Sequence, residues 1–188
     1  MLNFSPLDAA TGGAYHLLMA LTAAVSPLPG ALAIVIFTCL VRAALLPLAV
    51  RAIRGRRLGT QVAAQLATLP FLMVLYRLFN SSTVDGAPNA LLHQVFLGVP
   101  LDSRFLAHPA AVAFWLVFVA LAAVAWWTAS RVPREGPALL RWLPFGTVLV
   151  AAVLPLAAGI YLVASTAWTA AERALLAPAR PPADEPPS

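Results

Sequence analysis

One arginine, Arg42, stands inside an apolar run that extends from Ala31 to Val50 and is otherwise uncharged. The cluster Arg51, Arg54, Arg56 and Arg57 closes that run. On a helix rising about 1.5 Å per residue, Arg42 sits well inside the apolar stretch, too far from either end for its head to reach water easily. A guanidinium at the centre of a bilayer costs roughly 3 kcal/mol or more, and is tolerated where it faces a polar interior or a water-filled cavity. Two arrangements satisfy it: a hydrated cavity built around Arg42, or a structural arginine that donates to carbonyls of a neighbouring helix. The expectation that no acidic residue lies in an apolar span to pair with it favours the cavity.

Other polar residues recur at helical spacing. Gln61 and Gln65 are four apart and share one face. Tyr161, Ser165 and Thr169 repeat every fourth position, with Thr166 beside them. These side chains either line a cavity with Arg42 or form interhelical hydrogen bonds, the ordinary role of such residues between apolar helices. Metal chemistry has no foothold here, because His16, His93 and His108 fall outside the apolar runs without ligand spacing. Cys39 is the single cysteine, which rules out a disulfide framework within the chain and reads as a small buried hydrophobe. Phosphate-binding glycine loops, dinucleotide fingerprints and nucleophile elbows are lacking from the sequence. Neither an enzyme nor a cofactor is expected.

Composition indicates what must position these residues. Of 188 residues 61% are hydrophobic and 10% charged, and the mean hydropathy is +0.85. Soluble domains average about 45–50% apolar and about 25% charged. A chain of this size cannot hide such an excess in one core, so a bilayer is the solvent that fits. The net charge is +5, and every basic residue is arginine. The arginines gather beside apolar runs rather than in a free basic patch, so they are expected to set topology, and nucleic acid is not an expected partner.

A bilayer core of about 30 Å takes roughly 20 apolar residues in a helix. The stretch SPLPG at 26–30 interrupts the first uncharged region, since proline and glycine end helices. Tyr15–Val25 before it is too short to cross and is expected to lie along the interface. Spans are expected at about 31–53, 59–79 and 109–130. Pro70 should kink the second; Trp126 and Trp127 suit an interface at the end of the third. NSSTVDGAPN, from Asn80, reads as a polar loop, and HQVFLGVPLDSRF, from His93, as a structured, partly apolar one. No charge occurs between Arg141 and Glu172. One helix across that block would measure about 45 Å, too long for the hydrocarbon. Two spans, about 137–154 and 156–176 with the turn at Pro155, are the favoured division, one tilted span the alternative. The proline-rich tail 177–188 is expected to be disordered. Arginines in the first and third inter-span loops place those loops in the cytoplasm and the N-terminus outside. The N-terminal segment 1–29 carries no cleavable signal pattern.

Four stretches, in order, resemble the YidC-type membrane protein insertases of bacteria, mitochondria and chloroplasts. TCLVRAALLPL (Thr38–Leu48) is similar to the family's first core helix, with its threonine, arginine and Pro-Leu pair. LPFLMVLYRLF (Leu69–Phe79) resembles the second, HQVFLGVPL (His93–Leu101) the external Phe-Leu-Gly segment, and LPLAAGIYLVASTAWT (Leu154–Thr169) the last helix. The resemblance implies five core helices around a hydrophilic groove that is open to the cytoplasm and lipid and closed outside. It favours the two-span division of the last block. The family's groove arginine is carried over onto Arg42, and Gln61, Gln65, Thr68, Tyr161, Ser165, Thr166 and Thr169 are expected to line the same groove. Thr68 replaces a common glutamine, Leu162 a common tryptophan, and the first cytoplasmic loop is too short for the family's helical hairpin.

The resulting expectation is an all-α, multi-pass protein of the bacterial plasma (inner) membrane. It comprises an interfacial helix within 1–29, a five-helix core over 30–176, and a cytoplasmic C-terminus. The implied function is a monomeric insertase or chaperone acting on nascent membrane proteins in contact with lipid, with the Sec translocon or ribosome as further partners. A small transporter or pore, and a non-inserting assembly scaffold, are the rival readings.

Overall fold

Prolines and glycines punctuate this chain, and several helices begin at or just after one: Pro6, Gly30, Gly146 and Pro155. The computed structural model describes residues 6–26, 30–54, 69–131 and 141–176. The chain is mostly helical: α1 (Pro6–Ala24), α2 (Gly30–Arg54), α3 (Leu69–Asn80), α4 (Val112–Ser130), α5 (Gly146–Val153) and α6 (Leu156–Leu176). The segment 30–47 of α2 and all of α4 are long and apolar enough to cross a membrane, and only 39% and 28% of these stretches are buried. Trp115, Leu116 and Val119 of α4 and Leu149, Val150 and Val153 of α5 face outward. The polar residues of α6, from Tyr161 to Arg173, lower its apolarity below that of α4 and of the 30–47 stretch of α2.

Several expectations need correction. The chain is not purely α-helical. Between α3 and α4 lie two antiparallel hairpins, β1–β2 (Thr83–Val84 with Ala87–Pro88) and β3–β4 (Val95–Phe96 with Val99–Pro100). Both turn through two residues of positive φ, Asp85-Gly86 and Leu97-Gly98, the geometry that matches strand twist in tight hairpins. Helix α1 starts nine residues before Tyr15, at Pro6. A Cβ on Gly12 would lie 2.9 Å from an Asp85 carboxylate oxygen, so glycine lets α1 approach the first hairpin closely there. The stretch expected as a span at 137–154 contains a 3₁₀ turn at Leu143–Phe145, because Pro144 lacks the N–H that a continuous helix requires. The break at Pro155 falls where expected, between α5 and α6.

The hairpin segment closes one end of the bundle. Leu156 and Ala157, the first residues of α6, donate their backbone N–H groups to the carbonyls of Ser103 and Leu101, at 2.8 and 2.9 Å. These are donors that a helix N-terminus leaves without internal partners. Asn89, 2% exposed, ties the segment to α3. Its Nδ2 donates to the Leu78 and Ser81 carbonyls at 2.7 and 3.0 Å, and its Oδ1 accepts from the Leu91 N–H at 3.1 Å. Around these bonds pack Leu18 of α1, Ile34 and Phe37 of α2, Leu75 and Leu78 of α3, Phe114 of α4 and Leu156 of α6, all buried. At Gly159 a Cβ would come 3.1 Å from Val117, so α6 and α4 approach closely there.

Asn89→Ala removes a donor from the Leu78 and Ser81 carbonyls and the acceptor of the Leu91 N–H. It is expected to lower the unfolding free energy by about 2–3 kcal/mol, from lost hydrogen bonds and uncompensated burial. A denaturant titration beside Ser82→Ala, whose side chain is exposed, checks this. Equal midpoints for the two variants would refute the role given to Asn89.

Candidate functional site

The apolar face of α2 leaves Arg42 nowhere to go but the helix interface, and α6 supplies its acceptors. Arg42 is 6% exposed and Ser165 4%. Arg42 Nε donates to Ser165 Oγ at 3.1 Å, and one terminal nitrogen donates both to that hydroxyl and, at 3.0 Å, to the Ser165 carbonyl. The carbonyl also accepts a 3.0 Å bond from the Thr169 hydroxyl. This is the pairing with a neighbouring helix, one of the two arrangements open from sequence. Tyr161, 3% exposed, lies one turn before Ser165 and bonds to it through its side chain.

A countercharge was missed by sequence reasoning. Glu172 lies on α6 two turns beyond Ser165, within electrostatic range of Arg42. It accepts a hydrogen bond from the Trp168 indole N–H. Glu172 belongs to α6, whereas the two described stretches apolar and long enough to cross a membrane, 30–47 and 112–130, carry no acidic residue. The signal was its i, i+4 spacing from Trp168 and its seven-residue offset from Ser165.

Arg42 and a cavity lie against different faces of α6. A cavity of about 780 Å³ opens between α4, the 3₁₀ turn, α5 and α6. Its apolar wall includes Leu121, Val124, Ala125 and Leu143, and Thr128, Thr147, Thr166 and Thr169 add hydroxyls. The Thr128, Thr147 and Thr166 hydroxyls donate to carbonyls on or beside their own helices, so the wall stays largely apolar. Arg131 and Arg173 stand in the lining, both exposed, and Arg131 lies 4.2 Å from the centre of the Trp127 ring. Of the residues predicted for the groove, Thr166 and Thr169 line this cavity, while Arg42, Tyr161 and Ser165 form the buried cluster. Thr169 belongs to both. Gln61, Gln65 and Thr68 lie outside the described residues.

Ser165→Ala removes the hydroxyl that the buried guanidinium uses and is expected to cost about 2 kcal/mol of unfolding free energy. In an Arg42→Leu background the same change is expected to cost clearly less, because no buried charge remains to be served and only the Tyr161 bond is lost. Denaturant unfolding of the four chains gives the coupling. Equal costs in the two backgrounds would show that the bonds carry no energy.

Compared with protein-family models, with curated proteins and with solved structures, the chain matches none.

Proposed function

We propose that this chain is an integral membrane protein that helps nascent membrane proteins insert and fold, an insertase or chaperone of the YidC type. The observation that carries the reading is the one-sided build of the bundle. The end bearing the hairpins is packed and capped, and the cavity lies toward the opposite ends of α4 and α6. A substrate segment admitted from one side meets the arginines at the cavity mouth before it meets a closed end. Each polar group then crosses a shorter apolar barrier than the full bilayer presents. Burial of the substrate's apolar helix in lipid, at about 25 cal/mol per Å², supplies the driving force. Five spans and an N-terminus outside are part of the same proposal, supported by the outward apolar faces of α2, α4 and α5 and by the arginine distribution.

One observation favours a second reading. Arg42 is held by Ser165 rather than facing the cavity, which suits a scaffold that binds membrane proteins without translocating their tails. A pore is disfavoured, since it needs a path through the packed hairpin end.

Reconstitution separates the two. Purified protein in liposomes, with a single-span substrate synthesised alongside, is expected to give protease protection of the substrate's translocated tail well above empty liposomes. Arg42→Ala is expected to reduce that protection several-fold. Co-purification of substrate with no protected tail would replace the insertase by the scaffold.

A further inference from the structure

We propose that the cavity between α4, α5 and α6 binds an anionic phospholipid, with the phosphate held between Arg131 and Arg173 and an acyl chain lying along Leu121, Val124 and Leu143. The proposal rests on the membrane reading, and is independent of the insertase reading. Three features converge. First, the lining joins a long apolar wall to two guanidiniums, the arrangement an amphiphile with a charged head requires. Second, both arginines are at the same end. Arg131 caps the C-terminus of α4 and Arg173 lies in the last turn of α6. Third, among the described residues neither is spent on a carboxylate. Among the described residues the ion pair within bonding distance is His16–Asp85, on the hairpin side.

Electrostatics decide the sign of the ligand. The two helix C-termini each present roughly half a negative charge, which disfavours an anion, but two full guanidinium charges outweigh them. Trp127 holds Arg131 against its ring, so the cation is partly ordered before a phosphate arrives. Arginine suits a phosphate because its planar fork donates two parallel bonds. Basic pockets between helices at the cytoplasmic side are where anionic headgroups are held in membrane proteins. A free phosphate would use the arginines and leave the apolar wall idle; a neutral lipid would do the reverse.

The test is native mass spectrometry of the full chain in detergent, with phosphatidylglycerol and phosphatidylcholine of identical acyl chains. Phosphatidylglycerol is expected to be retained about tenfold better, given the pull of two arginines on an anionic head. The pair Arg131→Gln and Arg173→Gln is expected to bring it to the phosphatidylcholine level. Arg141→Gln, an exposed arginine outside the cavity, is expected to keep the preference. Ala170→Leu, which narrows the cavity and keeps both charges, is expected to weaken retention of the lipid. Equal retention of the two lipids by folded protein, or a preference that survives the double substitution, overturns the proposal. Displacement of the lipid by millimolar inorganic phosphate would reassign the site to a free anion. A chain that stays monodisperse in buffer after detergent removal would overturn the membrane reading itself, a result distinct from a membrane protein without lipid preference.

Discussion

A full positive charge on an apolar helix has to be answered by something, and here the answer joins two distant parts of the chain. Arg42 on α2 meets Ser165 on α6 through three donated bonds. Burying a guanidinium costs several kcal/mol after relaxation, and charge-assisted hydrogen bonds return about 1.5–3 kcal/mol each. The balance lies near zero, so the contact does little for net stability. It fixes register, because a slide of one residue along either helix would leave a buried charge without its acceptors. With that register set, Thr166, Thr169 and Arg173 are carried to the cavity side of α6.

Helix α6 is the post on which the rest leans. It packs against α2, α3, α4 and α5, and its start is held by carbonyls from the hairpin segment. Pro155, buried and without an N–H, makes this possible: it ends α5 and lets a new helix begin where Leu101 and Ser103 present their acceptors. The hairpins therefore do more than connect α3 to α4. Through Asn89 they bind the end of α3, and through Leu101 and Ser103 the beginning of α6. The two ends of the bundle differ for this reason. One is tied by backbone bonds and filled with Leu, Ile and Phe; the other ends in exposed arginines beside tryptophan, a composition suited to a phosphate-rich surface.

Much of the helical framework was legible in the residues. Proline and glycine mark the gap before α2 and the break at Pro155, since both act through the local backbone alone. The spacing of Tyr161, Ser165 and Thr169 identified the polar side of α6 because helical periodicity is a local property too. What stayed hidden depends on neighbours distant in sequence. The use of glycine at position 12 follows from the approach of Asp85. The hairpins of residues 83–100 are too short to show an alternating pattern, and Asn89 reads as an ordinary loop residue until its three bonds are seen.

The sequence by itself determined a helix-rich, apolar chain with one arginine placed where it had to find a partner, since composition and periodicity act within each segment. Tertiary structure decided which partner it found. It chose Ser165 and its carbonyl, and set a cavity on another face of the same helix. Such choices depend on how side chains from separate segments fill shared space, a quantity that no single segment contains.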